Sequence, residues 1–264
     1  MILAQISDPH ITRRGKRLSG RVDTAGFLAR AVAQLKGLTP KADVTVVTGD
    51  LVDGGSAEEY AFLRELLAPL AMPIYVIPGN HDERENLRQA FADQHWMPKS
   101  GFLHYAVDDY PVRILALDSN VPGAPHGTLD EAQLTWLDAR LQEETMKPTV
   151  ILLHHPPFST GIAFMDAMRL FEGADEFAAI IGAHPQVERI LCGHVHRPIE
   201  VRWQGTLMMT APSTCHQIPL LLTPDGPEGF TFEPPGYRLH CWDGHRLVTH
   251  TACVGDYAGP YPFD

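Results

Sequence analysis

The chain has 264 residues, 44% of them hydrophobic, and a formal charge of −11. That length and apolar content can bury a substantial core, which excludes disordered, collagen-like and small disulfide-stapled classes. The acidic balance argues against a surface for duplex nucleic acid, which needs cations to displace counterions from phosphates, whereas 14 histidines are a surplus of the commonest metal-binding side chain.

Short β-rich runs alternate with amphipathic helical stretches. Ile2 to Ile6 reads as a buried strand, and Asp23 caps an apolar-periodic stretch (Phe27, Leu28, Ala31, Val32, Leu35) that stops at Gly37, read as the C′ residue. Val44 to Val47 is a second strand, followed by a capping box at Ser56 to Glu59 and a helix through Phe62, Leu63, Leu66 and Leu67. Ile74 to Ile77 and Arg113 to Leu117 are further strands. A capping box at Thr128 to Glu131 opens a helix with Leu134, Trp136, Leu137 and Leu141, and Val150 to Leu153 and Arg189 to Cys192 complete the core strands. After His196 helical periodicity disappears. Val201 to Trp203, Leu207 to Thr210, Arg238 to Trp242 and Arg246 to Thr249 read as short strands, with Trp242-Asp243-Gly244-His245 as a hairpin turn. A catalytic unit over 1–196 and a β-rich C-terminal extension over 197–264 are therefore expected.

No apolar run approaches the roughly 18–20 residues of a membrane span, and Met1 to Ile6 runs into Ser7-Asp8 without a basic leader or cleavage site. A soluble cytoplasmic protein with no membrane partner is expected. Cys192, Cys215, Cys241 and Cys253 show no C-x-x-C pairing and fit packed thiols in a reducing compartment.

Five polar clusters sit at predicted strand ends: Asp8-Pro9-His10, Gly49-Asp50, Gly79-Asn80-His81-Asp82, His154-His155-Pro156-Pro157 and Gly193-His194-Val195-His196. Strand ends are where open α/β sheets place their sites. Each cluster alone has a bland reading as a turn or loop. In the last, the alternate residues of an extended segment would turn both imidazoles toward one ion. Together the clusters supply carboxylates and imidazoles for a pair of divalent ions that clamps the oxygens of phosphoryl transfer. The inventory is Asp8, His10, Asp50, Asn80, His154, His194 and His196. A nitrogen and oxygen donor set without thiolate suits Fe, Mn, Zn or Co and excludes iron–sulfur and structural Cys-zinc sites. Two such ions also reconcile an acidic chain with an anionic substrate.

In this order the motifs resemble the calcineurin-like metallophosphoesterases over residues 8–196. They are most similar to the bacterial glycerophosphodiesterase and class III cyclic-nucleotide phosphodiesterase branch, to which His-His-Pro-Pro, His216-Gln217-Ile218-Pro219 and Tyr257-Ala258-Gly259-Pro260 extend the likeness. The resemblance implies a four-layer αββα sandwich, two mixed sheets flanked by helices with a C-terminal β appendage. It implies one ion on Asp8, His10 and His196, a second on Asn80, His154 and His194, and Asp50 between them. His81 is implied as the catalytic acid or charge stabiliser over the phosphate, and a metal-held hydroxide as the attacking group. Asn80, His81, His155 and His216 are the expected substrate-side residues. The C-terminal β elements are expected to cap the site and to pair subunits into a homodimer or larger homo-oligomer.

Where protein phosphatases of the family carry Arg after Gly-Asp-x-x-Asp, this chain has Gly54. The missing guanidinium favours a singly charged diester over a dianionic monoester. The expected activity is hydrolysis of small phosphodiesters, glycerophosphodiesters or 3′,5′-cyclic nucleotides. A broad phosphoesterase that also takes monoesters, a nuclease of the same fold, and a scaffold that has lost its metals are the competing readings, the last opposed by the complete ligand set. Arg13, Arg14, Lys16, Arg17 and Arg21 form one basic run, either a solvated loop or an attractor for anions. His95, His104, His126, His184, His240, His245 and His250 are expected to serve only the surface or packing.

Overall fold

Alternation of buried side chains along the strands sets the layers. The computed structural model describes residues 1–223 and 226–263, so Pro224, Asp225 and Asp264 of the expected C-terminal extension lie outside the described residues. One sheet contains β1 (Ile2–Ile6), β2 (Val44–Thr48), β3 (Ile74–Ile77), β10 (Gly236–Trp242) and β11 (Leu247–Cys253), in the order β11-β10-β1-β2-β3. The other contains β4 (Tyr105–Val107), β5 (Arg113–Ala116), β6 (Thr149–Leu153), β7 (Val187–Cys192), β8 (Glu200–Trp203) and β9 (Thr206–Thr210), ordered β4-β5-β6-β7-β9-β8. β1, β2 and β3 run parallel, as do β5, β6, β7 and β9, while β10, β11, β4 and β8 pair antiparallel. Both sheets are therefore mixed, and the stretch after His196 completes both.

On β5 and β6, Ile114, Ala116, Val150 and Leu152 join the core that also holds Leu3, Ile6, Val46 and Ile77 of the opposite sheet. Their alternate neighbours Leu115, Leu117, Ile151 and Leu153 face Leu134, Leu137 and Leu141 of α4 (Glu131–Glu143) and Phe177 and Ile181 of α6 (Ala174–Ala183). Period-two alternation thus builds the inter-sheet core on one face and the helix contact on the other. Leu28, Val32 and Leu35 of α1 (Thr24–Gly37) and Leu63 and Leu67 of α2 (Ala57–Leu67) join the first core from their side, giving the αββα layering.

Two helix ends differ from the sequence reading. Gly37 is the last helical residue of α1 and Leu38, with φ −57°, closes it, so no left-handed glycine cap forms. The capping box of α4 lies two residues later than Thr128 to Glu131: Asp130 accepts from Gln133 N, and the Gln133 side chain accepts from Asp130 N at 3.0 Å. Asp23 and the Ser56 to Glu59 box cap α1 and α2 as read.

Candidate metal centre

The five polar clusters leave the C-terminal ends of β1, β2 and β3 in one sheet and β6 and β7 in the other. The parallel direction of these strands brings all five to one edge of the sandwich. The loops are tightly bent: Asp8, His10, Asp50, His194 and His196 all have φ between 43° and 69°. Left-handed backbone at non-glycine residues costs energy and persists only when surrounding contacts enforce it, a recurrent mark of functional sites. The spacing argument for Gly193-His194-Val195-His196 is corrected here, because the segment is not extended and its two imidazoles part company. His194 joins His154 and His155, whereas His196 joins Asp8, His10 and Asp50.

Asp50 links the two groups. Its Oδ2 lies 3.5 Å from His10 Nε2 and 3.4 Å from His154 Nε2, while its Oδ1 accepts from His81 N at 2.9 Å. On one side His196 Nε2 is 3.3 Å from Asp8 Oδ1 and 3.1 Å from His10 Nε2. On the other, Asn80 Oδ1 is 3.3 Å from His154 Nε2. His154 Nδ1 donates to the Thr48 carbonyl at 2.8 Å, and His196 Nδ1 to the His216 carbonyl at 3.1 Å. Since a carbonyl can only accept, both rings carry their proton on Nδ1 when neutral, and both Nε2 lone pairs point into the cluster.

Further atoms lack partners. Asp8 Oδ2 and His194 Nε2 are buried without a hydrogen bond, and buried polar groups are normally satisfied. Converging lone pairs, two buried carboxylates and orphaned acceptors fit a cation pair and would be costly without one. The electrostatics agree. Burial pushes the Asp50 pKa up, but the His154, His81 and His10 charges override it and hold the carboxylate well below its ordinary range. Burial lowers His154, yet Asp50 and Asp8 lift it to about 9. A site that retains a proton there also attracts a cation.

His81 stands at the rim. Its Nδ1 donates to the Asp53 carbonyl at 3.0 Å, leaving Nε2 free. Burial depresses its pKa, but the Asp50 and Asp53 charges raise it to about 10, favouring the protonated ring. His216 lies 4.6 Å from His196 and 5.3 Å from His10, ring centre to ring centre, and lines the cavity with Asn80 and His81. His155 does not reach that cavity: it is fully enclosed, with Nδ1 2.8 Å from Ser119 Oγ. The substrate contact expected for His155 therefore has no geometric path.

Asp53 was not singled out from sequence, although its place three residues after Asp50 could have marked it. Its carboxylate lies 3.5 Å from both His10 Nδ1 and His81 Nδ1. Of the basic run, Arg13 and Arg14 pair with Glu58 and Glu65 of α2, and only Leu18 and Ser19 of that loop reach the cavity. The seven histidines assigned no function lie outside every potential ligand group among the described residues.

Comparison with known proteins agrees with this geometry. A family model described as calcineurin-like phosphoesterase matches residues 1–198. A probable glycerophosphodiester phosphodiesterase GpdQ of Arcobacter nitrofigilis is 39% identical over 264 residues, covering 100% of this chain and 97% of the relative. A 3′,5′-cyclic adenosine monophosphate phosphodiesterase CpdA of Pseudomonas aeruginosa is 33% identical, covering 100% and 94%. The crystal structure of a dimetal phosphatase from Danio rerio superposes with a TM-score of 0.66 at 16% identity, over 97% of this chain and 99% of that one, a likeness of fold.

Proposed function

The chain belongs to the calcineurin-like phosphoesterases, and from that premise we propose that it is a dinuclear-metal-dependent phosphodiesterase acting on small diesters such as glycerophosphodiesters or 3′,5′-cyclic nucleotides. The observation that carries this reading is the single Asp50 oxygen lying within 3.5 Å of His10 and 3.4 Å of His154, one from each half of the cluster. The relatives named as phosphodiesterases span nearly all of the chain. Gly54 supports a diester: it packs against the Glu59 carboxylate, which caps Ser56, and itself brings no guanidinium to clamp a dianion.

In this reading Asp8, His10 and His196 hold one ion, Asn80, His154 and His194 the other, and Asp50 both; Fe, Mn, Zn and Co all suit the donors. Such ions supply Lewis-acid charge for the phosphoryl oxygens and acidify water. The protein's own part is to position and to move protons. The Thr48 and His216 carbonyls fix the tautomers of His154 and His196. The His81 backbone N–H orients Asp50. His81, anchored through Nδ1 on the Asp53 carbonyl, turns Nε2 toward the cavity, and in its protonated form gives its proton to the departing ester oxygen. Water adds to phosphorus, the P–O bond to the leaving alcohol breaks, and the proton released from water restores His81, so diester and water become monoester and alcohol.

The same proposal gives residues 197–264 two further tasks, roofing the site and joining copies into a homodimer or larger homo-oligomer. Ile218 and Phe230 of this stretch line the cavity, β11 is a sheet edge, and Val248, Tyr257, Tyr261 and Phe263 are exposed. A monomeric mass at micromolar concentration would count against the assembly. A cytoplasmic location is also proposed, supported by four free thiols, of which Cys192 and Cys215 are buried. Among the described residues no helix is long and apolar enough to cross a membrane.

The test compares turnover of bis(p-nitrophenyl) phosphate and p-nitrophenyl phosphate with added Mn²⁺ and with chelator. Faster diester hydrolysis that the chelator abolishes is expected. A preference for the monoester would refute the diesterase assignment.

A further inference from the structure

The cavity above the candidate metal centre holds about 270 Å³ and has two unlike sides. Its floor is the polar cluster. Its wall includes Leu18, Phe164, Met165, Met168, Ile218 and Phe230, and among the described residues no Lys or Arg lines it. Among the described residues its only acids are Asp50 and Asp53, both engaged with the histidines of the floor. Among the lining residues Ser19 is the sole hydroxyl, and it is exposed.

The wall is a built element. Met165 and Ile162 are buried in a small apolar cluster with Val195, the residue between His194 and His196, and Phe164, Met168 and Ile218 pack against that cluster. Satellite clusters of this kind form under long loops and hold them in place. The loop bearing α5 (Ala163–Asp166) is latched by its own last residue: the Asp166 carboxylate accepts from Thr160 N at 2.6 Å, Thr160 Oγ1 at 2.7 Å and Gly161 N at 3.0 Å, and from the Ser159 hydroxyl. From the other side Phe230 stacks edgewise on His216 at 5.2 Å, and His216 touches His196. Phe and Met side chains thus stand at the edge of the polar floor, within reach of an arm of a diester whose phosphate lies on that floor.

We propose that this wall selects diesters whose retained arm is a flat aromatic group, over polyol or cationic arms, with Phe164, Met168 and Phe230 as the specificity-determining residues. The inference rests on the phosphodiesterase reading. An aromatic ring buries apolar area against two Phe rings and two thioethers. A glyceryl arm leaves its hydroxyls without partners on the same surface, which costs binding. A trimethylammonium arm finds no free carboxylate among the described lining residues.

The experiment keeps the leaving group constant and varies the arm: methyl, 2,3-dihydroxypropyl, choline and benzyl p-nitrophenyl phosphates, with kcat/KM measured on the Mn²⁺-loaded enzyme. The benzyl diester is expected to exceed the dihydroxypropyl diester by about tenfold, the share of ring burial an open wall provides. Phe230→Ala and Met168→Ala should each reduce that ratio, a quantity independent of the fraction of folded enzyme. A ratio near one, a larger kcat/KM for the dihydroxypropyl or choline arm, or a ratio unmoved in both variants overturns the proposal while leaving the diesterase reading intact. Failure to turn over any of the four diesters overturns that reading and this inference with it.

Discussion

His240 lies at the outer end of a buried polar network under the metal centre, and its titration should be visible in the stability of the whole protein. Its Nε2 donates to Gln5 Oε1 at 3.1 Å, Gln5 Nε2 donates to Thr48 Oγ1 and to the Cys192 carbonyl, both at 3.0 Å, and the Thr48 carbonyl receives His154 Nδ1. The ring is 1% exposed. Burial, with the Arg238 and Arg189 charges, depresses its pKa from the ordinary 6.5 to about 3. Above pH 6.5 the folded and unfolded chains both hold it neutral. Below that, the unfolded chain takes up a proton that the folded state refuses until about pH 3, so stability falls as pH falls. At pH 5 the loss is about 2 kcal/mol, about 1.5 pH units at ~1.4 kcal/mol each. For a chain of this length that corresponds to about 4 °C in Tm. His240→Gln keeps a donor for Gln5 but does not titrate. Calorimetry of both proteins at pH 7.5 and pH 5 should show the wild type losing about 4 °C more than the variant, since every other group titrates in both. Parallel losses, within about 1 °C, would refute the reasoning.

Three other outcomes follow from the geometry. A Cβ at Gly193 would collide with Ser7 Oγ and the Thr48 carbonyl, so Gly193→Ala should cost about 1–3 kcal/mol and lower the metal content, read by thermal denaturation and elemental analysis. His81→Ala should keep its metal, because the proposed ligand set does not include His81, yet lose about 10²–10⁴-fold in kcat; an unchanged rate removes His81 from the mechanism. Tyr60 donates to Asp82 Oδ1 at 2.8 Å and accepts from Glu83 N at 3.0 Å, so Tyr60→Phe should lower Tm by about 2–4 °C through the two lost bonds.

The layers and the metal floor were legible in sequence because each depends on a local pattern. Apolar runs such as Val44–Thr48 and Thr149–Leu153 mark buried strands, and each ends in a short polar motif. The elements passed over lack such signals. α6 begins at left-handed Gly173 with no side-chain cap, α5 is one turn long, and β4 has three residues. α3 (Arg84–Ala90) is capped by Glu83, outside the usual Ser, Thr, Asp and Asn set. The pairing of β1 with β10, which places His240 against Gln5, joins residues 235 apart and leaves no trace in local periodicity. The same holds for the site. Motif order gathered the candidate ligands, and the family resemblance already set His194 and His196 apart where residue spacing did not, but the enclosure of His155 and the approach of Phe164 and Phe230 depend on how the loops bend in space.

Asp50 and its neighbours are proposed to hold two ions side by side. The most direct measurement is titration of metal-free protein with Mn²⁺, followed by electron paramagnetic resonance and correlated with diesterase activity. The account predicts saturation at about two ions per chain with an exchange-coupled signal, as expected for ions ~3.5–4 Å apart, and loss of both the coupling and the activity in Asp50→Ala. One uncoupled ion per chain at full activity would contradict it.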